Sequence, residues 1–129
     1  MTGAHRSAGL RGSHRTDVNG WIRLHLEGTP REMGYSHGYL LANEIAEAVR
    51  FSKAYVKHVY DRPWSFFRTS ADELYIPKLP HDQKEEMKGI LGGLRERSIR
   101  NLDLTDVAIN GLLDTFSYHY WLEGSKKNQ

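Results

Sequence analysis

The chain has 129 residues, 39% of them hydrophobic and 26% charged, with a formal net charge of +2 and no cysteine. That length suits one domain around one core, and the balance is that of an ordinary water-soluble globular chain rather than a disordered or membrane one. The missing cysteine excludes a disulfide framework, a thiolate metal site and a cysteine nucleophile within these residues. The small basic excess sits mainly in the first twenty residues, where Arg6, Arg11 and Arg15 face only Asp17, so no concentrated basic face marks a nucleic-acid partner. No apolar run approaches the roughly 18 to 20 residues of a membrane span, and the N-terminus lacks the apolar stretch of a secretory signal.

In chain order, residues 1–20 are Gly, Ser, Thr, Arg and His with isolated apolar residues. That composition buries too little surface to offset ordering and is expected to form a flexible tail. Trp21-Ile22-Arg23-Leu24-His25-Leu26-Glu27 then alternates, as a half-buried strand does. Gly28 ends it. Thr29-Pro30-Arg31-Glu32 carries a Thr N-cap, a Pro at the first helical position and a Glu three residues after the cap, so a helix is expected to open at Pro30. Met33, His37, Leu41, Ile45, Ser52, Val56 and Val59 make one stripe along it, predicting a single helix to about Tyr60.

Trp64, Phe67, Ala71 and Leu74 predict a second helix stopped by Pro77 and Pro80. The run His81 to Arg97 presents Met87, Ile90, Leu91 and Leu94 on one face. Its glycines, Gly89, Gly92 and Gly93, each cost roughly 1 kcal/mol against Ala unless close packing on another backbone offsets the loss. Asp103 or Thr105 caps a last helix ending near Gly124, with 125–129 a polar tail. That helix is apolar nearly all round, from Leu104 through Ile109 to Phe116 and Trp121, apart from a stripe of Asp106, Asn110, Asp114 and Ser117. A helix of this kind is buried on several sides, and three other helices with one strand could not easily cover both its faces. The expected fold is therefore mainly α, about four helices with one short N-terminal strand over residues 21–124, belonging to a larger assembly or polypeptide.

Three groups could carry chemistry. Gly34-Tyr35-Ser36-His37-Gly38 has the spacing of a nucleophile elbow, with Asp103 and His119 following in the matching order. An elbow needs a strand running directly into its first glycine, and here a capped helix start stands instead, which argues against it. His37 lies on the apolar stripe between Met33 and Leu41. It reads as a hydrogen-bonded core or interface histidine, or else as a positioning group for a site completed elsewhere. Asn110 and Asp114, four residues apart, share one helix face. Solvent exposure explains such a stripe, whereas burial would force hydrogen bonds that brace a loop or line a pocket. The seven histidines show neither His-x-x-x-His nor His-Glu-x-x-His spacing, so no metal is expected. No cofactor signature is present either.

The run Gly28-Thr29-Pro30-Arg31-Glu32-Met33-Gly34-Tyr35-Ser36-His37-Gly38, continued by Leu40-Leu41-Ala42 and Glu44, resembles the N-terminal segment of the phospholipase B-like and isopenicillin N acyltransferase-type autoproteolytic hydrolases. Glu85-Glu86-Met87-Lys88-Gly89-Ile90-Leu91-Gly92-Gly93-Leu94 and Leu102 to Val107 with Asn110 resemble the family's next two helices. The likeness runs from about Trp21 to Trp121. It implies an acyl amide or ester as substrate and a four-layer αββα fold, to which this segment supplies outer helices. In that family the nucleophile is an N-terminal cysteine exposed by self-cleavage, with its own α-amine as base. This chain holds no cysteine, so the resemblance implies a partner, the catalytic β segment, and a chain inactive alone. His37, Asn110 and Asp114 become the candidates for supporting the junction, none with a chemical step. Where the family often has Gln, this chain has Ser36. The alternative is a stand-alone helical protein-interaction module or a degenerate gene fragment.

Overall fold

The computed structural model describes the backbone of residues 10–116 and the side chains of residues 10–111. Two strands precede five α-helices: β1 (His14–Val18), β2 (Trp21–His25), α1 (Pro30–Leu40), α2 (Ala42–Tyr60), α3 (Trp64–Ser70), α4 (His81–Glu96) and α5 (Leu104–Phe116). A π-helical turn, Ala71–Tyr75, and a 3-10 turn, Ile76–Lys78, follow α3. The predominance of helix agrees with the sequence reading, with one more helix and one more strand than expected. These residues divide into two compact units, one of residues up to Ile45 with Pro80–Asn101, the other of Ala46–Leu79 with the residues from Leu102. The division falls within α2.

In the first unit, β1 and β2 form an antiparallel hairpin with His14 opposite His25 and Val18 opposite Trp21. Asn19 and Gly20 connect them at φ of 51° and 83°, the left-handed pair that an Asn-Gly turn adopts to match strand twist. The expectation of a flexible tail over 1–20 is therefore corrected for its described part, and residues 1–9 lie outside the described residues. What composition could not supply, specific polar contacts do. Arg15 forks onto Glu44 at 3.0 and 2.9 Å and donates to the Leu40 carbonyl at 3.0 Å. The buried Ser13 hydroxyl accepts from the Glu27 amide at 2.9 Å.

Helix α1 opens as its sequence signals. Thr29 accepts from the Glu32 amide at 3.2 Å, Glu32 reaches back to the Thr29 amide at 2.9 Å, and Pro30 occupies the first turn. The single helix expected to Tyr60 is broken at Leu41, whose φ and ψ of −113° and 26° leave the helical region. Both sides still bond across the break, Leu41 to the His37 carbonyl and Ile45 to the Leu41 carbonyl, which is why no breaker residue marks it.

Helices α1 and α4 approach backbone to backbone. A methyl group on Gly34 or Gly38 would run into the carbonyls of Glu86 or Ile90, and one on Gly89 or Gly93 into those of Arg31 or Tyr35. Two glycines four apart on each helix thus fit against the other helix's carbonyls, a closeness no larger residue permits. The same contact offsets the helix-propensity loss of Gly89 and Gly93. Tyr39, Ile90, Leu91 and Leu94 are buried in this unit.

The core of the second unit is Val56, Phe67, Ala71 and Ile109, with Tyr60, Trp64, Phe66, Tyr75 and Ile76 packed around it. Along α5, every residue from Thr105 to Ile109 is buried, as expected of a helix apolar nearly all round. Val59, which the sequence stripe places inside, is half exposed.

Candidate functional site

Ser36 sits inside α1, buried, its hydroxyl donating to the Leu10 carbonyl at 3.3 Å. Its flanking glycines serve the contact with α4, so the Gly-x-Ser-x-Gly spacing records helix packing and not a nucleophile elbow. Ser36 has neither the strained turn nor a base at hand. Asp103 is likewise committed, as the N-cap of α5.

His37 is half-buried on α1. Burial holds its imidazole below the ordinary histidine pKa, because the low-dielectric surroundings penalise the charged ring, and the nearby Glu86 carboxylate offsets only part of this. The hydrogen-bonded core histidine expected from the apolar stripe is not what is seen, since none of the described hydrogen bonds involves the ring. In the run from Gly28 to Gly38, Gly28 takes a φ of +113°, Thr29, Pro30 and Glu32 build the helix start, and Gly34 and Gly38 admit α4. The His37 ring, by contrast, makes no hydrogen bond among the described residues.

Asn110 is half-buried in the second unit, and its Oδ1 accepts from the Ser52 hydroxyl at 3.1 Å. It ties α5 to α2. The solvent-facing reading of its stripe is corrected further by Asp106, 5% exposed, which accepts from the Trp64 indole at 2.7 Å and from Arg68 at 2.9 Å. The side chain of Asp114 lies outside the described residues, as do His119, Trp121 and the helix end expected near Gly124. His37 belongs to the first unit and Asn110 to the second.

Sequence reading missed an electrostatic cluster at the start of α5. Asp103 and Asp106 cap each other's amides at 3.1 Å, and Arg68 spans both, 2.8 and 2.7 Å to Asp103 and 2.9 Å to Asp106. The Arg68 hydrogen bonds hold the Asp103 carboxyl well below the usual carboxylate range. Thr105 adds a bond to Asp72 at 2.8 Å. The Asp-x-x-Asp spacing at a helix start was the available signal. Among the described residues, no group of three His, Asp or Glu is placed to hold a metal ion, and no helix is long and apolar enough to cross a membrane.

A protein of Archaeoglobus fulgidus described as "Uncharacterized protein" is 35% identical over 103 residues, a match covering 70% of this chain and 16% of that protein. The chain thus spans 16% of the length of the curated relative it matches. No family profile matches the chain. No solved structure matches it significantly.

Proposed function

We propose that this chain is a non-catalytic helical segment of an acyl amide or ester hydrolase, or acyltransferase, of the N-terminal-nucleophile type, the nucleophilic cysteine coming from outside these residues. The observation that carries the reading is the run Gly28 to Gly38, in which a resemblance to the autoproteolytic hydrolases coincides with a half-buried histidine, His37, whose imidazole burial holds in the neutral form. His37 is then the group reserved for the junction with the catalytic part, where a neutral imidazole can donate and accept at once. In the second unit, Asn110 holds α5 on α2 through Ser52.

Purified alone, the chain should leave acyl-nitrophenyl esters and acyl amides uncleaved. Co-produced with an adjoining coding sequence that opens on a cysteine, it should yield activity that a thiol-alkylating reagent abolishes. An activity of the isolated chain that disappears in Ser36→Ala would overturn the reading, as would an adjoining sequence without such a cysteine. The latter result favours a helical interaction module, for which the specific support is the exposed row of Phe51, Tyr55 and Val59 on α2.

A further inference from the structure

Five glycines lie where α1 and α4 meet, and backbone contact explains four of them, Gly34, Gly38, Gly89 and Gly93. Gly92 is not. A methyl group there would sit 3.6 Å from the Tyr35 ring, an ordinary contact, so packing does not demand a glycine that costs the helix about 1 kcal/mol against Ala. What Gly92 does is keep open a groove of about 300 Å³ lined by Arg31, Glu32, Tyr35, Lys88, Gly89 and Gly92. All six belong to the first unit.

The charges of this groove have a definite arrangement. Glu32 is used up by the helix start, bonded to the Thr29 amide and paired with Arg11 at 2.9 Å. Arg31 and Lys88 remain as cations on the rim, both more than half exposed. Between them lies Glu85, whose Oε1 meets Arg31 at 3.3 Å and whose Oε2 meets Lys88 at 3.2 Å. The pair of cations is thus spaced for a planar group presenting one oxygen to each, and these long bonds engage one of the five N–H donors of the guanidinium. Beside them the Tyr35 ring supplies an aromatic wall and the bare backbone of Gly89 and Gly92 a floor. The volume stands at the lower end for small-molecule sites.

We propose that this groove binds a small aryl carboxylate, its anion shared by Arg31 and Lys88 in place of Glu85 and its ring set on Tyr35 over Gly92. The offset or edge-on aromatic contact and the charge-assisted hydrogen bonds act together, one fixing the ring and the other its orientation. Glu85 is the internal competitor, a carboxylate that bridges the two cations until a ligand displaces it.

Amide chemical shifts of the whole chain, titrated with phenylacetate, test this directly, with phenylacetamide and inorganic phosphate as controls. Phenylacetate should give saturable shifts at Arg31, Tyr35, Lys88, Gly89 and Gly92, with the amide and phosphate much weaker. Arg31→Gln should weaken binding about tenfold, the loss of one charge-assisted bond. Glu85→Gln should tighten it, because the competitor loses its charge. Gly92→Leu should abolish binding with helical circular dichroism retained, and should it fail to fold, Gly92→Ala, whose methyl fits, must still weaken binding. Absence of saturable shifts, equal binding of the amide or of phosphate, weaker binding in Glu85→Gln, or wild-type affinity in a folded Gly92 variant would each overturn the proposal.

Discussion

At the scale of single residues, Asp103 and Arg68 show how a carboxylate that looked like a third member of a catalytic set becomes a structural one. Asp103 gives one oxygen to the amide of Asp106 and both to Arg68, so its charge is wanted in the fold. Its pKa is depressed, first by the Arg68 hydrogen bonds, and the sign follows. The stabilisation is fully present above the ordinary carboxylate value near about 4 and is lost as pH falls through the lower folded value. Asp103→Asn keeps the cap but gives up the charged pairing with Arg68, so it should be less stable at pH 7 by up to about 1 kcal/mol, and should lose less further stability on acidification. Urea denaturation at pH 7 and below pH 4 measures both, and parallel pH profiles for the two proteins would contradict the assignment. Asp106 has no comparable freedom. At 5% exposure its removal strands the Trp64 indole N–H and part of the Arg68 guanidinium without an acceptor.

At the scale of elements, the closest packing in the first unit depends on glycines, and that reverses a usual rule. Gly→Ala in a helix normally stabilises by roughly 1 kcal/mol. In Gly93→Ala the new methyl meets the Tyr35 carbonyl, so the helices must separate, and a net loss of about 1 to 3 kcal/mol is expected from overpacking. Gly92→Ala, one residue away, should be neutral or stabilising. Equal effects at both positions in urea unfolding would show that α1 and α4 are not held at backbone contact. This pairing was half legible in the sequence: the glycines stood out as costly unless close packing offset them, but periodicity does not say which glycine meets a neighbour. The start of α1 was fully legible, because the signals in Thr29, Pro30 and Glu32 are local. The hairpin does not show in the composition of residues 1–20, although Asn19-Gly20 is a strong turn signal, because Arg15's partner lies 29 positions on. The break at Leu41 has no local signal at all. For the candidate site, the inward turn of Asp106 and Asn110 depends on Trp64, Arg68 and Ser52, partners that a polar stripe on a wheel cannot name.

At the scale of the whole molecule, the question is whether the apolar surface left outside each unit is surplus or is meant to be covered. The first unit exposes Trp21 at 79% beside Val18 and Ile22, and the second exposes Phe51 at 67% and Val59 at 50%, with Tyr55 stacked on Phe51 at 5.9 Å. The row on α2 recurs every four residues and so makes a continuous stripe along one helix face. Both functional readings place a partner on apolar surface, so the stripe is expected to bind a hydrophobic dye or to drive association of the isolated chain. The double variant Phe51→Ser, Val59→Ser should reduce dye binding and association while leaving thermal stability nearly unchanged, because most of the area it removes was already in water. Phe67→Ala should do the opposite. Its ring is fully buried in the second unit's core, and truncation there costs about 3 to 5 kcal/mol through lost transfer energy and the cavity left behind. Dye fluorescence, light scattering and melting curves on the three proteins decide the matter: if the serine variant melts early while the parent chain is monomeric and silent to dye, the stripe is packed within the chain, and neither a catalytic segment nor a partner protein is needed to cover it.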